Sequence, residues 1–252
     1  MSRVKVIRKL IKPILGTLSL SLCMGGLSSC ANPKNPRSED PLECLNRGVY
    51  HLNKGLDKVL VKPVAVVYDS LLPRPIKTGV HNIFQNLNDV PTAANSFLQF
   101  KMHQFGVTSS RFLVNSTLGV LGFFDVASRL GLQKYNEDCG TTLAFYGYKN
   151  SAYLILPVFG PSTIRDAIGG VGTHYMSVLT YKPDSKDLRK GLTLLKAVDA
   201  RVEILKTEEA ARASAVDEYV FIRDAYLQNR NAKINNTAVK KTEDLSQEGP
   251  PE

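Results

Sequence analysis

Cys30 is the residue whose type and surroundings most clearly indicate chemistry. It follows Leu27-Ser28-Ser29, and a small residue stands on each side of the Ser29–Cys30 bond. Ahead of it lie a basic segment at 1–12 and an apolar segment at 13–27 that is diluted by Ser and Gly, which is the layout of a secretory signal and not of a membrane span. A cysteine directly after such a signal predicts a bacterial lipoprotein, in which the thiol takes a diacylglycerol, the signal is cleaved and the new amino terminus is acylated. An ordinary secretory signal with a chance cysteine is the alternative.

These features predict a signal peptide at 1–29 and a lipidated polar tether at 30–39. Each buried methylene of an acyl chain contributes about 0.8 kcal/mol, so two or three chains make a firm anchor. Ala31 follows the cysteine where an Asp would favour retention in the inner membrane, and we therefore expect the outer membrane. Removal of 1–29 lowers the formal charge from +9 to +4, because this segment has five basic residues and no acidic ones. The basic excess is thus no argument for nucleic-acid binding.

Two cysteines remain after the signal and the lipidation site, Cys44 and Cys139. An exported protein meets an oxidising compartment, so an even pair suggests a Cys44–Cys139 disulfide. The alternative is two buried, reduced thiols that pack as small hydrophobic side chains.

No arrangement typical of catalysis is visible elsewhere in the sequence. The chain has no G-x-S-x-G motif and no Walker loop, and the adjacent acids Glu137-Asp138 are more typical of a solvated turn than of a cation site. Gly169-Gly170-Val171-Gly172 is predicted to be a flexible turn, because it lacks the strand–turn–helix context of a phosphate loop. The histidines are scattered without metal-ligand spacing: His51, His81, His103 and His174. We expect no enzymatic activity, no metal and no cofactor.

The elements that would position any site are helical by pattern. Leu45, Val49, Leu52, Leu56 and Val59 recur at steps of three and four along 43–60, which predicts an amphipathic helix. Further helices are predicted at 63–72, with Pro63 in the first turn, at 76–87, from a cap at Asn88 or Asp89 to about 98, at 104–114, 184–206 and 208–228.

The predicted organisation is a helical domain at 40–231 and a disordered tail at 232–252, which is rich in Lys, Asn, Glu, Pro and Gly. No stretch after Cys30 is long and apolar enough to cross a bilayer. The uncharged run at 112–124 is too apolar for a solvent-exposed loop and too short to span a bilayer. We therefore expect Val90–Gly131 to be the part of the chain in closest contact with lipid.

The order of short motifs along the chain resembles that of the MlaA/VacJ family of outer-membrane lipoproteins. The resemblance covers about 40–230, and its most specific string is Leu156-Pro157, Gly160-Pro161-Ser162-Thr163 and Arg165-Asp166. The other matching motifs are Asp40-Pro41-Leu42-Glu43, Asn46-Arg47, Lys62-Pro63-Val64-Ala65, Tyr68, Pro73, Pro75, Asn82, Asn86-Leu87, Asn95, Leu98-Gln99, Arg111-Phe112, Asn115-Ser116-Thr117, Gly119, Gly122, Asp125-Val126-Ala127, Glu137-Asp138, Gly140, Thr142-Leu143, Tyr146-Gly147 and Arg223-Asp224-Ala225-Tyr226. The chain departs from the family at Cys139, where an aromatic residue is expected.

The resemblance implies an all-α, ring-like bundle of short amphipathic helices, broken by Pro and Gly, that lies in the inner leaflet of the outer membrane. Proteins of this family remove mislocalised phospholipids from the outer leaflet through a polar-lined channel. They pass the lipid to a periplasmic carrier, MlaC, and they sit beside trimeric porins. The pathway maintains the lipid asymmetry of the outer membrane.

Certain polar residues within the matching motifs suit a phospholipid path. Arg47, Arg111 and Arg165 have the guanidinium geometry that binds a phosphate through two hydrogen bonds. Asn86, Asn95, Gln99 and Asn115 are candidates for lining a polar channel. Helix caps, turns and a structural Arg165–Asp166 ion pair are the alternative uses of these residues. A structural lipoprotein and, less favoured, a lipid hydrolase are the alternative functions.

Overall fold

The computed structural model describes residues 40–181, 185–214 and 216–247, and it describes side chains over the same ranges except 206–214 and 236–247. The predicted signal peptide, Cys30, the tether at 30–39 and residues 248–252 lie outside the described residues.

The described chain is helical apart from one short hairpin, which confirms the all-α class. Its elements in order are α1 (Glu43–Leu56), a π-helical turn (Asp57–Val61), α2 (Lys62–Leu71), α3 (Arg74–Leu98), α4 (Met102–Thr117), α5 (Val126–Arg129), α6 (Cys139–Phe145), β1 (Tyr153–Leu156), β2 (Gly160–Thr163), α7 (Ile164–Met176), α8 (Val178–Tyr181), α9 (Lys186–Ser214) and α10 (Glu218–Gln247). Within the described residues, no helix combines the length and the apolar character that crossing a membrane requires.

Side-chain caps set the starts of the short helices. Asp125 accepts a hydrogen bond from the Ser128 amide at the start of α5, and Asp138 forms a capping box with Thr141 at the start of α6. Thr163 caps α7 by accepting from the Asp166 amide. Pro63 lies in the first turn of α2, as predicted, but the π-helical turn Asp57–Val61 directly precedes α2, so helical backbone continues from α1 through Pro63.

Helix α3 is one helix of 25 residues, not the two that the sequence predicts. Asp89 lies in the middle of this helix, so it caps no helix start, and its fully buried carboxylate binds the Lys134 ammonium. Pro91 lies inside the helix and does not end it.

The glycine-rich segment at 169–172 is also helical, so the predicted flexible turn is wrong. It belongs to α7. Gly169 faces Gly140 of α6 so closely that a Cβ atom there would lie 2.4 Å from the Gly140 nitrogen. Because Gly169 has no side chain, the backbones of α6 and α7 can pack directly against each other. Gly169 therefore serves close packing and does not make the chain flexible.

The hairpin β1–β2 is antiparallel and pairs Tyr153 with Thr163 and Leu156 with Gly160. Its free edge is bound by asparagines of α1. The Asn46 amide group donates to the Tyr153 carbonyl (3.1 Å) and accepts from the Ile155 amide (2.9 Å). Asn53 makes the equivalent pair of bonds, to the Leu156 carbonyl and from the Val158 amide. These side chains satisfy backbone groups that would otherwise be unpaired at a sheet edge.

The C-terminal helix corrects the predicted boundary of the ordered part. Helix α10 continues from Glu218 to Gln247, through most of the segment at 232–252 that composition marks as disordered. Ile234, beyond that boundary, is buried. Low apolar content limits burial but not helix formation, and this segment has several good helix formers.

The contacts between elements form a closed circuit. Helix α1 packs against β1, β2 against α10, α10 against α6, and α6 against α7. Helix α7 then contacts α3, α3 contacts α9, α9 contacts α2, and the π-helical turn joins α2 back to α1. This is the connectivity expected of a ring-like bundle.

Candidate functional site

Polar side chains, and not apolar ones, dominate the buried surface between α3 and α4. Among all fully buried described residues, polar and charged ones outnumber apolar ones. One stripe runs along each helix at steps of three and four: Asn86, Asp89, Thr92 and Ser96 on α3 with Gln99 at its C-terminal end, and Gln104, Thr108, Arg111 and Asn115 on α4. Asp89 is a predicted helix cap and not a predicted site residue, and Thr92, Ser96, Gln104 and Thr108 carry no predicted role, although the helical spacing of all five is visible in the sequence.

The apolar stripes lie on the opposite, exposed side. Phe97 is 52% exposed on α3, and Leu52 and Val59 of the predicted N-terminal stripe are 54% and 71% exposed. The run at 112–124 ends in a turn that exposes Leu118, Val120 and Leu121. Large contiguous apolar surface on a monomer marks contact with a partner or a membrane.

Arg111 is held inside the protein by several acceptors. Its Nη2 lies 3.1 Å from Asp125 Oδ1, and its Nη1 donates to Ser128 Oγ and the Leu132 carbonyl. Burial by itself would raise the pKa of Asp125. Hydrogen bonds from Ser128 and Asn115, together with the Arg111 charge, outweigh burial and lower that pKa to about 2. These contacts give Arg111 internal partners on both terminal nitrogens, which is the setting of a structural residue and not of an open phosphate ligand.

Asn86, Arg111 and Asn115 are brought together around one narrow cleft, which Asp89 and Lys134 also line. Asn115 Nδ2 donates to Asp125 Oδ1 (3.0 Å), and Asn86 Nδ2 donates to Ser116 Oγ (2.9 Å). Burial raises the pKa of Asp89 more than the Lys134 ion pair lowers it. Three of the seven candidate channel residues therefore share one polar cluster.

Asn95 and Gln99 lie near the start of α6. Thr142 Oγ1 donates to Asn95 Oδ1 (2.7 Å), and Gln99 Nε2 donates to Thr142 Oγ1 (2.9 Å) and to Glu137 (3.1 Å). Lys101 pairs with Glu137 at 2.6 Å, so Glu137 is a partner of internal groups and not a solvated turn residue. The Gln99 Oε1 atom, like several hydroxyls of the α3 and α4 stripes, has no hydrogen-bond partner among the described residues.

Arg165 and Arg47 are both ion-paired. Arg165 is 2% exposed, binds Asp166 at 3.0 Å and donates to the Lys149 carbonyl, which is the structural pair left open by the sequence. Arg47 pairs with Asp217 at 2.8 Å, and its guanidinium carbon lies 4.4 Å from the centre of the Tyr219 ring. Neither belongs to the α3–α4 cleft.

The predicted Cys44–Cys139 disulfide is not present, because Cys139 is a free thiol. Its Sγ lies 3.7 Å from Met176 Sδ, and its amide donates to Thr173 Oγ1. The side chain thus packs against α7, whereas Cys44 lies in the first turn of α1, which packs against the hairpin.

An apolar cavity of about 480 Å³ lies between α1, the hairpin, α9 and α10. Its walls include Ile155, Phe159 and Ile222, and its rim carries two ion pairs. Arg201 binds Asp57 at 2.7 Å, and Lys54 binds Glu218. An apolar interior with a charged rim suits a molecule that has apolar chains and a polar group. These four charged residues come from separate segments of the chain, so no motif in the sequence marks them as a set.

His81 forms an acid–base arrangement with Asp199. His81 Nδ1 lies 2.9 Å from Asp199 Oδ2, which is how an acid orients a general base. The other ring nitrogen lies 3.2 Å from the Gln85 amide nitrogen. The His81–Asp199 pair thus has the base and the orienting acid of a hydrolase. Among the described contacts, the second ring nitrogen faces the Gln85 amide, which is not a nucleophile, and no hydroxyl that could attack a substrate.

Buried polar stripes beneath an apolar exterior define the class of this protein as a helical bundle with a polar interior and exposed apolar faces. The sequence profile of the MlaA lipoprotein family matches residues 38–233. The chain belongs to this family, which confirms the resemblance seen in its motifs.

Similar proteins agree with this assignment. The chain is 33% identical to the intermembrane phospholipid transport system lipoprotein MlaA of Escherichia coli, over 86% of this chain and 87% of that one. It is 30% identical to the protein of the same name from Haemophilus influenzae, over 89% and 91% of the two chains, and 34% identical to an uncharacterised protein of Rickettsia typhi, over 77% and 78%. A solved structure from work on the "Structural basis for maintenance of bacterial outer membrane lipid asymmetry" matches with a TM-score of 0.68 and 28% identity, over 77% of this chain and 98% of that one.

Proposed function

We propose that this chain is an outer-membrane lipoprotein that removes mislocalised phospholipids from the outer leaflet and so maintains lipid asymmetry. The name of its Escherichia coli relative, an intermembrane phospholipid transport lipoprotein, supports this role. In the proposed mechanism, lipid passes through a polar-lined channel and is handed to a periplasmic carrier, MlaC.

The observation that carries the proposal is the inverted distribution of side chains. A soluble protein buries its apolar stripes, whereas α1 and α3 expose them and α3 and α4 bury polar groups. An apolar exterior suits the acyl-chain region of one leaflet, and lipid headgroups require polar surfaces. The cavity between α1, the hairpin, α9 and α10 offers apolar walls to the tails, with Arg201 and Lys54 at the rim for the phosphate.

Anchoring and partners follow from the same proposal. Acyl chains on Cys30 would hold the domain at the inner leaflet of the outer membrane, facing the periplasm. The exposed turn around Val120 and Leu121 is a candidate contact for lipid or for a trimeric porin. Residues Arg47, Asn86, Asn95, Gln99, Arg111, Asn115 and Arg165 remain candidate headgroup or channel residues, although their internal partners favour a positioning role.

The proposal includes no covalent chemistry. His81 and Asp199 are the pair that a hydrolase would use, and their geometry makes His81→Ala the decisive variant. We expect His81→Ala to retain transport wherever the protein folds and reaches the membrane. Loss of transport with intact folding and localisation would favour the hydrolase.

The experiment is complementation of a deletion strain, with the phospholipid content of the cell surface as the readout. Ala200 lines the apolar cavity, and Ala200→Trp should fill it. Ala225 is exposed on α10 and lines none of the cavities described above, so Ala225→Trp is the matched control. We expect wild type and Ala225→Trp to lower surface phospholipid, and Ala200→Trp to fail at equal abundance. Full complementation by Ala200→Trp would contradict transport through this cavity, and failure of wild type itself to lower surface phospholipid would favour a structural lipoprotein.

A further inference from the structure

A second cavity, of about 430 Å³, is separate from the apolar cavity and from the α3–α4 cleft. It lies between the loop before β1, the start of α7 and helix α10. Its lining residues are Lys149, Asn150, Ser151, Ala152, Thr163, Arg165, Leu227, Arg230 and Asn231. This volume falls within the range of small-molecule sites.

The charged residues that line this cavity are all basic. Lys149, Arg165 and Arg230 contribute positive charge, and no acidic side chain is among the lining residues. Asp138 and Asp166 neutralise part of this charge from outside the lining. Asp138 binds Arg230 Nη1, and Asp166 binds both Arg230 Nη2 and Arg165. Their carboxylates are therefore occupied by internal partners, and Lys149 adds a further positive charge.

Arg230 also has an unused donor. The residue is 7% exposed, and its Nε atom is buried without a hydrogen-bond partner among the described residues. A buried donor without a partner is energetically unfavourable, so an acceptor that reached it from the cavity would bind favourably.

The loop that carries the remaining donors is held in place. Arg165 Nη1 donates to the Lys149 carbonyl (2.7 Å), and the Arg165 amide donates to Ser151 Oγ (2.9 Å). These bonds fix the backbone on both sides of Asn150, while the Lys149 and Asn150 side chains stay exposed at the cavity mouth. Lysine, arginine and amide donors around one preformed space are what a tetrahedral oxyanion requires.

We infer that this cavity binds a phosphate group, carried by a glycerophospholipid headgroup or by a small free phosphate compound. The lipid source rests on the proposed function, whereas the phosphate site itself does not. Arg230 Nε, Lys149 Nζ and the Asn150 and Asn231 amides are the donors, and Leu227 and Ala152 face the uncharged part of the ligand.

The test is calorimetric titration of the full, acylated protein in an uncharged detergent. One series adds inorganic phosphate, and another adds dihexanoyl phosphatidylglycerol below its micelle concentration. Asn150→Asp places a negative charge at the cavity mouth and should weaken binding about tenfold or more, a loss of about 1.4 kcal/mol or more. Lys149→Gln should weaken it several-fold. Both positions are exposed, so these variants should fold.

Lys186→Gln, which removes an exposed lysine on α9 away from the cavity, is the matched control and should bind as wild type does. Saturable binding of both probes supports a headgroup site, and binding of inorganic phosphate alone supports a free-phosphate site. Absence of saturable binding, or equal losses in Asn150→Asp and Lys186→Gln, would overturn the inference. Because surface phospholipid is measured separately, transport without phosphate binding would refute this site and leave the proposed function standing.

Discussion

Arg230 in α10 and Asp166 in the first turn of α7 form an ion pair of 2.6 Å across 64 residues of sequence. Both side chains are more than nine-tenths buried. The same carboxylate also binds Arg165 and accepts a hydrogen bond from the Tyr226 hydroxyl. One acid therefore ties the last helix to the centre of the fold.

Asp166→Asn should destabilise the protein strongly. The change leaves Arg165 and Arg230 buried without their shared counter-charge, and breaking such a pair costs about 3–5 kcal/mol. Chemical denaturation in detergent measures the free energy of unfolding. Asp187→Asn is the control, because Asp187 is 95% exposed in its pair with Lys190 and should change stability by less than about 1 kcal/mol. Similar unfolding midpoints for the two variants would show that the buried cluster is not structural.

Stability should fall as the pH is lowered from about 5 to 2. Burial opposes ionisation of Asp166, but hydrogen bonds from Arg165 and Arg230 prevail and lower its pKa to about 2, from 3.8. Because the folded-state pKa is depressed, the stabilisation is complete above the unfolded-state pKa and is lost as the pH falls through the folded-state value. Asp166 alone should account for about 2 kcal/mol. Asp125 contributes in the same direction, so Asp125→Asn should have a flatter dependence of melting temperature on pH; an unchanged slope would argue against this account.

Two neighbouring glycines of α7 should respond in opposite directions to alanine. A Cβ at Gly169 would meet the backbone of Gly140, so Gly169→Ala should destabilise by about 1–3 kcal/mol. Gly170 has open space around its Cα, and Gly170→Ala should stabilise the helix by about 0.5–1 kcal/mol. Thermal melting of the two variants side by side measures both effects. Equal tolerance of alanine would mean that α6 and α7 do not pack this closely.

Cys30→Ser should leave an unprocessed precursor that takes up no radioactive palmitate, because lipidation of the thiol precedes cleavage of the signal. Cys23→Ser provides the matched control and should be processed and labelled normally, since bulky Leu22 precedes Cys23. Gel mobility and palmitate labelling measure both properties. Normal processing of Cys30→Ser would defeat the lipoprotein assignment at this residue.

Much of the local structure could be predicted from the sequence because it depends on neighbours along the chain. The stripe along 43–60 and Pro63 in the first turn of α2 are predicted from such neighbours. The caps at 125, 138 and 163 also act over about three residues, but they are not among the predictions. The hairpin could not be predicted in the same way. Its strands are four residues long, too short for a periodic pattern, and their edge is satisfied by Asn46, 107 residues before the Tyr153 carbonyl.

The sequence by itself determined that the chain is helical, that its helices are amphipathic and that its motifs are those of the MlaA lipoprotein family. Only the tertiary structure decided which face of each helix is buried. Helical spacing places Phe97 on a different face of the helix from Thr92 and Ser96. The spacing does not say which face is buried, because it is the same whether water or lipid surrounds the protein. The packing of α3 against α4 buries the hydroxyls of Thr92 and Ser96 and leaves the Phe97 ring exposed. It also placed Cys139 against Met176, where no disulfide to Cys44 forms, because the neighbours of a side chain across the fold are set by packing and not by sequence distance.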